Sequence, residues 1–298
     1  MMSRINFSGD PVMKKLRAVM MGAMLFSVFL TLAGQPASFW ANPETAMRGD
    51  GLGVHNAVNH TLEFLLSDGW QPFLCACLVY LALALVAVSI LPRKPALITS
   101  LSIIFGHYFA TANWLAVGWH LGFNGVAVYG IVLGTAIAWA VSPIPAVPGG
   151  QIIRRLRWVM FCVMLMDPLV TLLGEPASYW AHPETVHEGN SFWRWSMMQG
   201  WWVYILMDLA YCAGAFWLVT NLPRFYGVMV LFAFTFGHFI GASNWFFYEW
   251  RLGMQVPVVY GILLSSTIVL LSFRRGQKSN ATAGAPSAIA ASGRPVCC

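Results

Sequence analysis

The phrase GQPASFWANPET at Gly34–Thr45 returns as GEPASYWAHPET at Gly174–Thr185, 140 residues later and each time directly after an apolar run. The echo continues outward from that phrase. LPRKP at Leu91 is answered by LPRFY at Leu222, FGHYFATANW at Phe105 by FGHFIGASNW at Phe236, and VYGIVLG at Val128 by VYGILLS at Val259. These later pairs are 131 residues apart, so the first copy carries about nine additional residues between Thr45 and Asp68.

The material between the echoes is strongly apolar. Of 298 residues, 58% are hydrophobic and 9% charged, with a mean hydropathy of +0.65, whereas a soluble domain carries about 25% charged residues. A helix needs about 20 apolar residues to cross a hydrocarbon layer. Spans of that kind are expected at Leu16–Ala33, Pro72–Leu91, Ala96–Val117, Gly125–Val141, Leu156–Leu173, Trp201–Thr220, Phe225–Tyr248 and Val256–Phe273. The predicted fold is an all-α integral membrane protein with eight transmembrane helices forming two parallel four-helix repeats. Four spans per copy is an even number, so both copies enter the membrane in the same sense. The expected units are a cytoplasmic segment at 1–15, a first repeat at 16–142, a cytoplasmic linker at 143–155, a second repeat at 156–273 and a disordered tail at 274–298.

Lys14, Lys15 and Arg17 at the start of the first span imitate a secretory leader. Its counterpart ending VTLLGEPASYW lies in mid-chain, so the first helix is expected to be retained. Fourteen of the 17 lysines and arginines fall in the N-terminal segment, the tail and alternate loops, leaving Arg48, Arg194 and Arg251 on the other side. The positive-inside rule then places both termini in the cytoplasm. The net charge of +6 follows from that topology and calls for no nucleic-acid partner. Both PET phrases face outside.

In ANPET and AHPET, proline suits the first turn of a helix, where its missing N–H costs nothing, and a first-turn glutamate favours the positive helix end. The phrase is expected to begin a short interfacial helix, capped at Asn42 in the first copy, with Trp40 and Trp180 at headgroup level. A ligand-lining role for Glu44 or Glu184 is the alternative. Gly106 and Ala110 beside His107, and Gly237 and Gly241 beside His238, space small residues four apart, which permits close helix approach. Haem or metal ligation by the two histidines would need further ligands. Neither has a second histidine at helical spacing, so no cofactor is expected. Six cysteines, four of them in apolar spans, predict no disulfide.

The copies differ in their ionisable residues. Ser27 aligns with Asp167, Gln35 with Glu175, Asn42 with His182, Arg48 with Glu188, Cys77 with Asp208, Gly118 with Glu249 and His120 with Arg251. Charged groups at membrane depth cost about 2.5–3.5 kcal/mol on insertion scales and usually have partners or roles. An externally open site is therefore expected in the second copy, with Asp167, Asp208 and His238 beneath a rim of Glu175, Trp180, Glu184, Asn244 and Arg251. The favoured function is binding or transport of a small solute or lipid headgroup. A membrane-embedded enzyme using an Asp/His pair is the alternative, and so is a structural or assembly protein with a membrane-protein partner, in which the acids act as an internal clamp. The stretch DPLVTLLGEPASYWAHPETVHEGN (Asp167–Asn190) resembles multi-spanning bacterial membrane proteins, which implies a bacterial inner-membrane location. The first copy departs from it at Ser27, Gln35 and Arg48.

Overall fold

The computed structural model describes residues 10–34, 69–141, 149–188 and 190–272. Trp40, Asn42, Glu44, residues 143–148 of the linker and the C-terminal tail lie outside the described residues. The described chain is all-helical and contains eight helices long and apolar enough to cross a membrane. These are α1 (Pro11–Ala33), α2 (Trp70–Ile90), α3 (Arg93–Asn113), α4 (Gly122–Val141), α5 (Gly149–Gly174), α7 (Trp201–Asn221), α8 (Arg224–Asn244) and α9 (Gln255–Ser272), with a short helix α6 (Ser191–Met198) between α5 and α7.

Local chemistry sets the ends. Asp10 caps α1, its carboxylate accepting from Val12 N at 2.9 Å, while Pro11 occupies the first turn. Pro92 and Pro223 stop α2 and α7 and open α3 and α8, because the residue before a proline is driven out of the helical region. Gly69 and Gly200, at φ 107° and 123°, make the turns into α2 and α7, a conformation that side chains resist. Both α3 and α8 finish in a π turn, at Trp114–Gly118 and Trp245–Glu249.

At one end of the bundle, basic side chains meet the C-termini of four helices. Arg17 donates to Val88 O of α2 at 3.2 Å, Lys15 to Trp139 O of α4 at 3.3 Å, Arg155 to Leu271 O of α9 at 3.3 Å, and Arg157 to Thr220 Oγ1 of α7 at 2.9 Å. Cations at these negative helix ends are favourable and satisfy carbonyls that lack an intrahelical donor. We call this the basic end.

The packing pairs helices alike in the two halves. α3 packs on α1 as α8 does on α5, and α4 packs on α8 as α9 does on α3. The shared core is aromatic, with Phe105 4.7 Å from Phe236 and 5.0 Å from Phe239 between ring centroids. Exposed aromatic residues gather toward both ends of the bundle. Trp180, Trp195, Trp201 and Trp202 lie at the end opposite the basic end, and Trp139, Trp217 and Tyr226 lie toward it.

Candidate functional site

A cavity of about 830 Å³ lies where α4 of the first half meets α5, α7 and α8 of the second, and α6 covers it. Its polar section is distal to the basic end. Asp167 of α5 and Asp208 of α7 each sit seven residues from the distal end of their helix, about 10 Å down at 1.5 Å per residue. His238 of α8 reaches the same level. His238 Nδ1 and Asp167 Oδ2 are hydrogen-bonded at 2.9 Å. The Asp208 carboxyl interacts electrostatically with both.

Space for the Asp–His pair comes from Gly241, where a Cβ would collide with the Asp167 carboxylate. The first half has Ala110 in the place of Gly241 and Ser27 in the place of Asp167. Charge and room thus change together. Pro168, inside α5, also lines the cavity. Proline has no N–H for the ladder bond to the residue four back and clashes with that carbonyl, which loosens the helix at this wall. Val28 is its aligned partner.

Asp208 is 3% exposed. Its hydrogen-bond partner is the Cys212 thiol, donating to Oδ2 at 3.5 Å, and a thiol is a weak donor. Around it stand Tyr204 and Tyr211, which share its face of α7 at helical spacing. Trp193 of α6 closes this group, its ring centroid 5.7 Å from those of both Tyr204 and Tyr211, and Tyr211 lies 5.7 Å from the His238 ring. Nearer the basic end the lining turns apolar, with Ile131 of α4, Leu218 of α7, and Met229, Val230 and Phe234 of α8. The cavity is amphiphilic along its length.

The covering segment is held by short-range chemistry. Asn190 caps α6, its Oδ1 accepting from Phe192 N at 3.0 Å and Trp193 N at 3.4 Å, and Glu188 accepts from Asn190 N at 2.7 Å. Tyr179 donates to Met197 O at 3.1 Å, and Leu172, Tyr179, Val186, Met197 and Tyr204 form a small apolar cluster. This holds Trp193 over the cavity.

Of the eight residues expected at the site, Asp167, Asp208, His238 and Asn244 line the cavity. The Asn244 Oδ1 is buried without a hydrogen-bond partner among the described residues. Glu175, Trp180, Glu184 and Arg251 lie outside the lining, each for a local reason. Glu175 is buried and accepts from His187 N with both oxygens, at 3.2 and 3.1 Å, so it pins the connection to α6. Burial raises its pKa above the ordinary carboxyl range, partly offset by His187. Glu184 pairs with His182 at 3.2 Å on the surface, with both side chains more than 60% exposed. Trp180 is an exposed surface aromatic. Arg251 is exposed in a left-handed turn at φ 52° before α9. The second PET phrase is one 3₁₀ turn, Pro183–Thr185, and the distal helix begins later, where Asn190 supplies a cap.

Sequence reasoning also overlooked Trp193, Tyr204, Tyr211 and Pro168. The i, i+4, i+7 placement of Tyr204, Asp208 and Tyr211 was the available signal. Among the described residues no three His, Cys, Asp or Glu side chains converge in metal-ligating geometry. Comparison with known protein families, curated proteins and solved structures finds no match.

Proposed function

We propose that this chain is an integral membrane protein of two parallel four-helix repeats, cytoplasmic at its basic end, whose second half binds an amphiphile from the outer side. The bound molecule sets a polar headgroup beside Asp167, Asp208 and His238 and lays an apolar chain along α8. Apolar length, aromatic residues toward both ends and the one-sided basic residues support the topology. The recurrence of turn glycines, π turns and helix pairings supports the duplication.

The observation that carries the binding proposal is the cavity itself, polar at one level and apolar below. A small polar solute would leave the apolar stretch unfilled. The lining residues Phe123, Ile131, Tyr211 and Leu218 are exposed as well as cavity-facing. They mark a slot between α4 and α7 through which a lipid-like molecule passes sideways from the bilayer. From Met229 to Asn244 the α8 wall is about 22 Å long by helical rise, enough for a headgroup and an extended chain.

Native mass spectrometry of the purified protein tests this. Wild-type protein should retain an amphiphile, and Ala127→Trp, which fills the slot from α4, should release it. Equal retention by both proteins would reject the site. The Asp167–His238 hydrogen bond favours a second reading, acid–base chemistry on the bound molecule, since a carboxylate at Nδ1 orients an imidazole for proton transfer at Nε2. A bound molecule recovered chemically altered would select that reading.

A further inference from the structure

We infer that the headgroup taken by this cavity carries an ammonium, as a primary amine or a quaternary centre, held between the Asp208 carboxylate and the faces of Trp193, Tyr204 and Tyr211. This rests on the amphiphile-binding reading above and adds the charge of the headgroup.

Three observations point the same way. The first is the sign of the lining. Asp167, Asp208, Glu188 and Glu249 all border the cavity, and among the described residues its ionisable lining otherwise consists of His187, His238, Tyr204 and Tyr211, with no lysine or arginine. A phosphate or carboxylate headgroup would meet like charges with no basic side chain to receive it. The second is the environment of Asp208. It is 3% exposed, borders the cavity, and has the Cys212 thiol as its hydrogen-bond partner. Buried carboxylates are ordinarily paired or well hydrogen-bonded. Asp167, in contrast, has His238. A cation in the cavity gives Asp208 a charged partner in direct contact, where the thiol is only a weak donor.

The third is the aromatic arrangement. Trp193 stands at 87° to Tyr204 and 67° to Tyr211, with both centroid separations 5.7 Å. All three rings border the same space as Asp208. Mutually inclined rings beside a carboxylate are how proteins surround ammonium groups, because the negative ring faces attract a cation without hydrogen bonding to it. The first half has Cys77 and Phe73 where the second has Asp208 and Tyr204. The charge and one of the rings therefore belong to the second half alone.

The experiment uses the full chain in a maltoside detergent free of ammonium groups, following the fluorescence of its tryptophans. Three probes share a twelve-carbon chain and differ in headgroup: dodecyltrimethylammonium, 1-dodecylglycerol and dodecyl phosphate. The ammonium probe should reach half-saturation at a concentration at least tenfold below either of the others. Asp208→Asn should raise its half-saturation at least tenfold and leave that of dodecylglycerol within twofold. Equal binding of the neutral and cationic probes to the wild type would overturn the ammonium assignment and leave amphiphile binding standing. Binding of none of the three, with the protein still folded by circular dichroism, would overturn both. Wild-type affinity for the ammonium probe in Asp208→Asn would remove Asp208 from the site. Should that variant not accumulate, the wild-type headgroup series decides the assignment, and Trp193→Leu tests the aromatic contribution, with a loss of at least threefold expected for the ammonium probe alone.

Discussion

The two halves share the helix junctions that the described residues cover and diverge in what they enclose. Gly34 lies against Trp114 and Trp119 as Gly174 lies against Trp245 and Trp250, and His120 and Arg251 adopt the same left-handed turn at φ 54° and 52°. The histidines then part company. His238 is bonded to Asp167, while the buried His107 Nδ1 has no hydrogen-bond partner among the described residues. Tyr80 lies 5.9 Å from the His107 ring much as Tyr211 lies 5.7 Å from His238. The tilted Tyr–His ring contact is common to both halves; the carboxylates are particular to the second. Junction residues answer to packing and must agree, whereas cavity residues are free to specialise once space is made for them, as Gly241 makes it for Asp167.

Exchanging residues between halves should break or sharpen this contrast. The largest effect is expected at the Asp167–His238 pair. Asp167→Ala should lower unfolding stability by about 1.5–3 kcal/mol, the cost of losing a hydrogen bond involving a charged group and stranding its partner. The matching Ser27→Ala should cost under about 1 kcal/mol. Denaturation in detergent micelles measures both, and equal losses would erase the distinction between the halves.

Next in size is Gly241→Ala, where a Cβ meets the carboxylate; overpacking of this kind costs about 1–3 kcal/mol. The double change Gly241→Ala with Asp167→Ser recreates the first-half pair. It should be more stable than the sum of the single changes by about 1 kcal/mol or more, since residues in contact couple by 0.5–3 kcal/mol. Additive effects would show that glycine and aspartate are not linked.

Asn190→Ala should cost about 1 kcal/mol through loss of the α6 cap. It should also speed proteolysis between Thr185 and Gly200, because α6 carries the covering Trp193. Unchanged cleavage would mean that the tertiary cluster alone holds α6.

The smallest effect concerns Glu175, where the first half has Gln35. Burial raises the Glu175 carboxyl above its unfolded value, so the folded state holds its proton more tightly. The resulting stabilisation is fully present below the unfolded pKa and is lost as pH rises through the raised folded one. Thermal midpoints measured from pH 4 to 8 should therefore fall in the wild type relative to Glu175→Gln as pH increases. Parallel curves would show that the His187 N–H contacts cancel the burial.

Much of this architecture is legible in the amino-acid sequence, because membrane helices are constrained by length and apolarity and each sequence echo within the described residues falls on a helix or its junction. The asymmetry of ionisable residues likewise singled out Asp167 and Asp208, since charge at that depth needs a reason. The rim was harder to read. Glu175, Glu184 and Arg251 are polar and near in sequence to the site, yet a backbone-pinning contact, a surface pair with His182 and a left-handed turn take them elsewhere. Trp193 was hidden for the opposite reason: one tryptophan among many at a distal surface carries no mark of its role. Its position follows from the Asn190 cap and from α6 folding back over α7, a tertiary event without a periodic signature.

The central claim is that the face formed by α5, α7 and α8 of the second half, with α4 against it, receives an amphiphile through the slot between α4 and α7, and that its counterpart around α1, α2, α3 and α9 does not. Photo-crosslinking with a twelve-carbon chain bearing a diazirine near its far end and trimethylammonium at its head, read by peptide mass spectrometry, tests it most directly. The account predicts adducts concentrated in α4 between Phe123 and Ile131, in α7 between Tyr211 and Leu218 and in α8 between Met229 and Phe234, reduced at least tenfold by excess unlabelled dodecyltrimethylammonium. Adducts spread equally over α2, α3 and α9, the counterparts of α7, α8 and α4, and insensitive to that competitor would contradict it.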